Sequence, residues 1–220
     1  MIIKEAFQVV ISGGHIEEAC ALPYLQSPLL KRIIAADRGM EFLYRHHIRP
    51  DVIVGDFDSC NQQVLAYYRQ QPDVEIREFD AVKDFTDTEV GLRTALECGH
   101  EPIILLGATG TRLDHVWGNV QSLSLSLSMQ VPTYMVDAHN CIRLLDTSVT
   151  LDPQEAFGTY FSLFPLGADI TDLTIKGARY PLQHHHLSSK SSLSVSNQYT
   201  DDLLHIIFTE GILVLIESRD

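Results

Sequence analysis

The chain has 220 residues, of which 45% are hydrophobic, so it can bury a substantial core as one large domain or two smaller ones. It carries 29 Asp and Glu residues against 16 Lys and Arg, and the resulting net charge of −13 argues against nucleic acid as the main partner. The four cysteines are scattered and form no C-x-x-C pair, which favours reduced, mostly buried thiols over a disulfide or zinc site. The first apolar segment, residues 7–11, is too short for a signal peptide or a spanning helix, and we therefore expect a cytoplasmic protein.

Up to about residue 140, strand-like runs alternate with helix-like segments. The predicted strands are residues 8–12, 32–36, 52–55, 74–79, 103–107 and 133–137. The predicted helices are residues 16–26, 40–47, 61–71 and 87–100, and the last begins with Thr86 as a cap and Glu89 three residues later. This alternation predicts a parallel sheet with helices packed on its faces.

The segment around residues 122–128 has a periodicity that conflicts with its position. Leu123, Leu125 and Leu127 alternate with serines, which by itself indicates a half-buried strand. The segment lies between two predicted parallel strands, however, where a crossover of a dozen or more residues is needed and is usually helical. We therefore predict a helix over residues 113–129.

After Asn140 the pattern changes to short strand candidates separated by glycines and prolines. The candidates are residues 141–145, 149–151, 159–163, 173–175, 193–195, 205–208 and 213–216. Many short strands with Gly and Pro turns are typical of an antiparallel sandwich or roll. The predicted fold is thus an α/β N-terminal domain, residues 1–140, with a mostly parallel sheet and helices on both faces, followed by an all-β sandwich or roll domain, residues 141–220.

The segment Gly55-Asp56-Phe57-Asp58-Ser59 follows the most strand-like run of the chain, residues 52–54. In an extended chain the i, i+2 spacing directs both carboxylates to the same side. Two acids at the carboxyl end of a strand suit a hard divalent cation such as Mg²⁺, which prefers oxygen ligands and phosphate partners. Acidic turns are common, and Asp56 is as well suited to cap a helix as to bind a metal.

Four other loop segments also follow predicted parallel strands, and they are expected at the edge where open α/β sheets bind ligands. They are residues 13–14, 36–39, 83–87 and 107–115. Together with residues 55–59 they bring glycines, carboxylates, Lys83 and two arginines, Arg38 and Arg112, to one rim.

The parts of this rim match the requirements of phosphoryl transfer. Gly107 and Gly110 permit backbone conformations that expose N–H groups to phosphate oxygens, and Arg112 offers a planar donor fork suited to phosphate. Lys83 can balance the charge of the carboxylates. The candidate Mg²⁺ ligands are Asp56, Asp58, Asp84 and Asp87. Phosphoryl transfer needs such positioning and charge, with little covalent chemistry from the protein.

Simpler structural roles are open for several of these residues. Arg112 and Asp114 can form a structural ion pair, and His115 can be packed in a core, where Trp117 is also expected. The triplet His184-His185-His186 suggests metal binding, but consecutive residues point in different directions and zinc sites use separated ligands.

The ordered set of motifs resembles the thiamine pyrophosphokinase (thiamine diphosphokinase) family over most of the chain, from about residue 36 to 198. In the first half the matching blocks are Ala36-Asp37-x-Gly39, Gly55-Asp56-Phe57-Asp58-Ser59, Lys83-Asp84-x-Thr86-Asp87-x-Glu89, and Gly107-x-x-Gly110-x-Arg112-x-Asp114-His115 with Asn119 after it. In the second half they are Gly177-x-x-Tyr180-Pro181-Leu182 and Ser194-x-Ser196-Asn197.

The resemblance implies a function for each half. The α/β domain would hold ATP and Mg²⁺, and the β domain would contribute to a thiamine site at a homodimer interface. The implied reaction transfers the pyrophosphoryl group of ATP to the hydroxyl of thiamine and releases AMP. Neither nucleic acid nor a membrane is expected as a partner.

The resemblance also implies roles for individual residues. The metal ligands would be Asp56, Asp58 and Asp84. The catalytic residues would be Asp56, Asp84, Asp87 and Arg112. The nucleotide-binding residues would be Asp37, Arg38, Gly39, Asp58, Ser59, Lys83, Gly107, Gly110, Arg112, Asp114 and His115. The residues that bind thiamine would be Thr86, Asp87, Tyr180, Ser194, Ser196 and Asn197.

Two positions depart from the family pattern, and the rival functions stay open. Arg38 replaces the first of two glycines, and it either crowds the nucleotide or adds a cation to its site. Gln198 replaces a common glutamate, so a carboxylate there is either dispensable or its contact is remodelled. The alternatives are another ATP-dependent phosphotransferase of the same fold acting on a different hydroxylated small molecule, and a nucleotide-binding module without activity.

Overall fold

The computed structural model describes residues 3–80 and 85–220, so two predicted site residues, Lys83 and Asp84, lie outside the described residues. The chain divides into two compact units, a first unit from Ile3 to Ala138 and a second unit from His139 to Asp220. The four cysteines form no disulfide, and Cys60 and Cys141 are buried. Among the helices of the described residues, none has the length and apolar character needed to cross a bilayer.

The first unit alternates strands and helices throughout its described part. The strands are β1 (Phe7–Ile11), β2 (Leu30–Ala36), β3 (Val52–Gly55), β4 (Glu75–Glu78), β5 (Ile103–Leu106) and β6 (Thr133–Val136). The helices are α1 (Glu18–Leu25), α2 (Gly39–Arg45), α3 (Gln62–Arg69), α4 (Asp87–Cys98) and α5 (Leu113–Ser128). The strands lie in the order β6-β5-β1-β2-β3-β4, and each neighbouring pair is parallel.

The central strands have the composition of a sheet covered on both faces. Every residue of β1, β3 and β5 is buried, which explains why these strands are nearly continuous apolar runs with little alternation. Helix α4 packs against β1, β2, β3 and α5, whereas α2 packs against β2 and α3. The predicted parallel sheet with packed helices is confirmed.

The two predicted helix features of this unit are also confirmed. The hydroxyl of Thr86 accepts a hydrogen bond from the N–H of Glu89 at 3.2 Å, and α4 begins at Asp87. The Leu/Ser segment belongs to α5, in which Leu123 and Ser126 are buried. Serines fit this helix because their hydroxyls bond to carbonyl groups one turn earlier, as Ser122 does to Gly118 at 2.9 Å.

The second unit is an antiparallel β-sandwich. Its strands are β7 (Asn140–Leu145), β8 (Val149–Leu151), β9 (Tyr160–Pro165), β10 (Ile170–Lys176), β11 (Leu182–Leu187), β12 (Asn197–Gln198), β13 (Leu204–Ile207) and β14 (Leu213–Ser218). One layer has the order β12-β9-β14-β7 and the other β11-β10-β13-β8. Phe161 and Leu215 from the first layer share a buried cluster with Leu173 and Ile206 from the second, so the two layers enclose one core and the predicted sandwich is confirmed.

Several segments of the second unit differ from prediction, among them the two-residue strand β12, which was not predicted. The predicted strand at residues 193–195 is a turn, closed by a hydrogen bond from the N–H of Val195 to the carbonyl of Ser192 at 3.2 Å. Strand β11, which contains the histidine triplet, was not predicted. His184 pairs with Asp172 at 2.6 Å, and no group of three His, Cys, Asp or Glu side chains among the described residues is arranged to hold a metal ion.

Candidate functional site

A cleft of about 680 Å³ lies in the first unit, at the carboxyl ends of its parallel strands. The loops that follow β1, β2, β3 and β5 form its walls, together with the first turns of α4 and α5. Predicted site residues that line this cleft are Asp37, Arg38, Ser59, Thr86, Asp87, Gly107, Gly110, Arg112 and His115. Parallel topology thus brings side chains from distant positions of the sequence together. His115 is exposed in this cleft, so the alternative of a packed core histidine is wrong.

Of the predicted site residues that the structure describes in the first unit, four stand outside the lining of the cleft: Gly39, Asp56, Asp58 and Asp114. Gly39 has a packing role instead, because a Cβ atom at this position would collide with the carbonyl oxygen of Ile11. The glycine therefore allows the first turn of α2 to approach the end of β1.

Other lining residues were not among the predicted site residues. They are Ser12, Gly13, Gly14, His15, Ala36, Thr88, Ala108, Thr109, Thr111, Val116 and Asn119. The hydroxyls of Ser12 and Thr88 lie 2.6 Å apart and are buried, which joins the end of β1 to the first turn of α4. Only the Gly13-Gly14 pair gave a sequence signal at this strand end, because single Ser and Thr residues are common in loops.

Among the residues that line the cleft, Asp37 is an acid with a buried side chain and a raised pKa. Its side chain is 8% exposed, its Oδ2 accepts a hydrogen bond from the hydroxyl of Ser59 at 3.1 Å, and its Oδ1 is buried without a hydrogen-bond partner among the described residues. Burial raises the pKa of Asp37, and the negative charges of Asp87 and Asp56 raise it further. Its backbone is left-handed, with φ of 45°, which is uncommon for a residue with a side chain.

The Asp56-Phe57-Asp58 segment is folded more tightly than an extended chain. Phe57 is buried and has a φ of 59°, so the simple i, i+2 argument for the direction of the two carboxylates does not apply. Oδ1 of Asp56 accepts a hydrogen bond from the N–H of Asp58 at 3.2 Å. Asp58 itself is exposed, whereas Asp56 is partly buried.

The described acids are suited to a divalent cation but do not by themselves enclose one. Asp37 and Asp56 lie in two separate loops and Asp87 is the first residue of α4, and the charges of Asp56 and Asp87 affect the pKa of Asp37. Carboxylate oxygens are the ligands that Mg²⁺ prefers, and a cation would relieve this repulsion and approach the unpartnered Oδ1 of Asp37. No three of the described side chains are arranged as a metal site, and Asp84 lies outside the described residues.

The two arginines at the cleft differ in how firmly they are held. Arg112 forms two hydrogen bonds with Asp114, from Nε at 3.2 Å and from Nη2 at 2.5 Å. This pairing lowers the pKa of Asp114 to about 2, and the ion pair considered from the sequence is therefore present. Within the described parts of the chain, the ion pair of Arg38 is weak, since its Nε lies 3.9 Å from Oε1 of Glu41 and its side chain is 56% exposed.

The loop between β5 and α5 is fixed by a buried amide. Nδ2 of Asn119 donates a hydrogen bond to the carbonyl of Ala108 at 2.7 Å. Gly107 has a φ of 66°, as expected for a glycine that turns the chain at the end of a strand. A side chain at Gly110 would meet no atom within 4 Å, so neither packing nor an unusual φ requires a glycine there.

In the second unit, the side chains of two of the four predicted residues, Ser194 and Asn197, form structural hydrogen bonds. The hydroxyl of Ser194 is buried and donates to the carbonyl of Leu163 at 2.5 Å. Asn197 is buried and bonds to both backbone groups of Tyr180, accepting from the N–H at 3.0 Å and donating to the carbonyl at 2.8 Å. Tyr180 and Ser196 are exposed, so these two can meet a ligand or partner.

The side-chain amide of Gln198 holds a neighbouring arginine. Its Oε1 accepts a hydrogen bond from Nη1 of Arg179 at 2.6 Å, and the guanidinium of Arg179 lies 5.5 Å from the centre of the Tyr180 ring. A neutral amide therefore orients the arginine beside Tyr180 with one charge fewer than a carboxylate would bring.

The fold and the cleft define a small-molecule-binding α/β protein of the open-sheet class, joined to a β-sandwich. Two family models match the chain: the thiamin pyrophosphokinase catalytic domain over residues 29–135, and the thiamin pyrophosphokinase vitamin B1 binding domain over residues 146–213. Thiamine pyrophosphokinase from Bacillus subtilis (strain 168) is 31% identical over 187 residues, which cover 85% of this chain and 87% of that relative.

Solved structures agree with the sequence comparison. A crystal structure of thiamine pyrophosphokinase from Bacillus subtilis has a TM-score of 0.84 and 29% identity, with 98% of this chain and 100% of that chain covered. One of thiamin pyrophosphokinase from Geobacillus thermodenitrificans has a TM-score of 0.81 and 30% identity, with 97% and 98% covered. The chain belongs to the thiamine pyrophosphokinase family, which is a family of transferases.

Proposed function

We propose that the protein transfers the pyrophosphoryl group of ATP to the hydroxyl of thiamine, giving thiamine diphosphate and AMP. The hydroxyl oxygen forms a bond to the β-phosphorus, and the bond from that phosphorus to the oxygen bridging to the α-phosphorus breaks. AMP leaves with the bridging oxygen. The observation that carries the proposal is the meeting of Asp37, Asp87, Arg38 and Arg112 in one cleft at the carboxyl edge of the sheet.

We assign the triphosphate of ATP to the side of the cleft formed by the loop between β5 and α5. Backbone N–H groups near Gly107 and Gly110, and the N-terminal end of α5, provide hydrogen-bond donors and a positive partial charge. Arg112 would offset the charge that develops on the leaving AMP, with Asp114 holding its guanidinium in place. His115, in the first turn of α5, is exposed in the same cleft.

We assign Asp56, Asp58 and Asp84 as the residues that would hold Mg²⁺. Bound there, Mg²⁺ would neutralise the triphosphate and make its phosphorus atoms easier to attack. Within the described residues, Asp56 already interacts electrostatically with Asp37, which fits a site where several carboxylates share one cation.

We assign Asp87 to the thiamine hydroxyl. It is the first residue of α4, it lines the cleft, and the cap at Thr86 fixes the start of this helix. Its carboxylate is suited to orient the hydroxyl and to accept its proton as the new bond to phosphorus forms.

We assign the rest of thiamine recognition to the second unit, in a homodimer. Tyr180 and Ser196 are exposed, and Asn197 and Ser194 hold the backbone beside them. Three large apolar side chains of the same two segments, Tyr180, Leu193 and Val195, are 45–55% exposed, which favours a surface that is covered by ligand or partner. We expect the enzyme to act in the cytoplasm.

The test is product analysis after mixing the protein with ATP, Mg²⁺ and thiamine. We expect AMP and thiamine diphosphate in equal amounts. ADP with thiamine monophosphate would show attack on the wrong phosphorus, and no thiamine product would refute the assignment of the acceptor.

A variant tests the assignment of the acids in the same assay. Asp56→Asn is expected to lower turnover at least about a hundredfold, because it removes a charge that holds the metal. Asp146→Asn, a change at an exposed acid between β7 and β8, is the matched control and is expected to leave turnover unchanged. Near-normal AMP formation by Asp56→Asn would refute the metal assignment.

A further inference from the structure

A second cavity of about 470 Å³ lies in the first unit, between the C-terminal ends of α2 and α3. These helices start at the carboxyl edge of the parallel sheet and run back, so their C-terminal ends lie at the opposite edge from the cleft described above. The volume is within the range of small-molecule sites in proteins. Three tyrosines, two arginines and one histidine are among its lining residues, and we call it the tyrosine cavity.

The three tyrosines that line the cavity, Tyr44, Tyr67 and Tyr68, pack against one another. The rings of Tyr44 and Tyr67 have centroids 5.0 Å apart, and those of Tyr67 and Tyr68 have centroids 5.2 Å apart, all edge to face. Tyr68 is buried, and its hydroxyl donates a hydrogen bond to the carbonyl of Ile48 at 3.2 Å, which fixes the position of its ring. Tyr44 and Tyr67 are 41% and 45% exposed, so each offers ring surface to a ligand.

The charge of the cavity is opposite to that of the whole chain. None of the described residues that line it is acidic, whereas Arg45, Arg49 and His47 are basic or can become so, in a chain with a net charge of −13. Basic residues at helix C-termini often serve only to offset the helix dipole. Here, however, the last carbonyl groups of α2 already accept hydrogen bonds from backbone N–H groups, as Leu43 does from Ile48 at 2.9 Å.

Both arginines are exposed, and neither is fully engaged by its partner. Nη1 of Arg49 pairs with Asp73 at 2.9 Å, but its side chain is still 58% exposed. The guanidinium of Arg45 lies 5.6 Å from the centre of the Phe42 ring, a contact that leaves its N–H donors available to a ligand.

His47 lines the cavity from a position that usually belongs to glycine. It has a φ of 55° and is the second residue after α2, where the 6→1 hydrogen bond from the N–H of Ile48 to the carbonyl of Leu43 marks the C-terminal turn. A residue with a side chain costs free energy in this conformation. The imidazole of His47 therefore lines the cavity although its backbone conformation is strained.

We propose that the tyrosine cavity binds an aromatic molecule that carries a phosphate group, with its ring against Tyr44 and Tyr67 and its phosphate at Arg45 and Arg49. Exposed aromatic rings stack on planar ligands, and guanidinium groups are the preferred donors to phosphate. The site goes beyond the proposed function and does not depend on it, because the cavity shares no residue with the carboxyl-edge cleft.

The test is calorimetric titration of the intact chain with AMP. We expect two binding events per chain, one of which is weakened about tenfold or more in Tyr67→Ala because its stacking surface is removed. Tyr67→Phe keeps the ring and is the matched control, with both events retained. Arg45→Gln is expected to weaken the same event about fivefold, because it removes a charged donor to phosphate.

Two further measurements separate the proposal from its alternatives. Both substituted side chains are exposed, so thermal unfolding is expected to match that of the unsubstituted chain, and AMP formation in the complete assay is expected to be unchanged. A single AMP event that Tyr67→Ala leaves unaltered would overturn the proposal. Inorganic phosphate binding at the cavity as tightly as AMP would overturn it too, since the rings would then contribute nothing.

Discussion

The carboxylate of Asp37 is buried near two other acids, and its protonation therefore affects the stability of the first unit. Burial, followed by the charges of Asp87 and Asp56, raises its pKa above the ordinary value of 3.8. The folded chain therefore holds this proton more tightly than the unfolded chain. The contribution of Asp37 to stability is greatest below pH 3.8 and is lost as the pH rises through the folded pKa.

We predict that Asp37→Asn stabilises the protein at pH 7, where the carboxylate is a buried charge repelled by its neighbours. A gain of about 0.5–2 kcal/mol is expected, as for other changes that relieve a strained functional site. The gain should shrink as the pH is lowered towards 4, and thermal unfolding between pH 4 and 8 measures it.

The matched control for Asp37→Asn is Asp146→Asn, which changes an exposed acid and should leave stability unchanged across the same range. A loss of stability at pH 7 in Asp37→Asn would mean that the carboxylate is well compensated in the folded chain. The substituted amide keeps an oxygen that can accept the hydrogen bond from Ser59.

Arg38 allows a second prediction, because its guanidinium is weakly paired and lines the cleft. If it adds a cation to the nucleotide site, Arg38→Gly should raise KM for ATP about three- to tenfold and reduce its dependence on salt, with a smaller effect on kcat. Initial rates at two ionic strengths measure both effects. Arg38→Lys keeps the charge, and its KM for ATP should lie between those of the unsubstituted protein and Arg38→Gly. A lower KM in Arg38→Gly would show that the side chain crowds ATP.

The sequence predicted which polar residues gather at the strand ends, but it did not predict how the backbone orients their side chains. The parallel sheet dictates that the loops containing Asp37 and Arg112 and the start of α4 at Asp87 meet at one edge. The left-handed φ of Asp37 and Phe57 is decided by local packing that has no sequence pattern. Trp117 shows the same limit, since it was expected in the core and is 53% exposed on the first turns of α5.

At the level of elements, α5 is a segment in which the local sequence period predicts a strand and the position between two parallel strands predicts a helix. Its Leu/Ser alternation has the period of a strand, yet only Leu123 of the three leucines is fully buried. In a strand the three leucines would share one face, whereas in a helix successive leucines are rotated away from one another.

We predict that Leu123→Ala costs about 2–5 kcal/mol of stability, because it leaves a cavity in the core. Leu127→Ala, four residues later and only partly buried, should cost less than half as much. Denaturant unfolding of the two variants is the measurement. Equal losses at both positions would contradict the packing of this helix.

Strands were predictable from the sequence where all of their residues are buried, because such strands are continuous apolar runs. The apolar runs of β3 and β5 lie within covered sheet and were predicted at or within one residue of their observed ends. Strand β11 was missed because its histidines are polar and partly exposed, and only pairing with β10 defines it. Residues 193–195 show the converse error, since two exposed apolar side chains in a turn imitate the alternation of a strand.

At the level of the whole molecule, the chain is acidic, but two of its arginines line the cleft. With a net charge of −13, the protein as a whole repels anions such as ATP. Arg38 and Arg112 at the cleft, and any bound divalent cation, reverse the field only at short range. ATP binding should accordingly weaken without a divalent cation more than thiamine binding does.

The two units are expected to divide the substrates between them. If the first unit binds ATP and the second supplies Tyr180 to thiamine, Arg112→Gln should raise KM for ATP at least about tenfold and change KM for thiamine little. Tyr180→Ala should do the reverse, because its exposed ring is removed from the thiamine side. Steady-state rates with each substrate varied in turn provide the four constants.

The control for this pair of variants is Ile207→Ala, which shortens another exposed apolar side chain of the second unit and should alter neither constant. Tyr180 is 55% exposed, so its substitution should leave unfolding unchanged and any effect on KM can be attributed to the ligand. If Tyr180→Ala and Arg112→Gln both raised the two KM values equally, each unit would contribute to both substrates, and the assignment of thiamine to the sandwich would have to be abandoned.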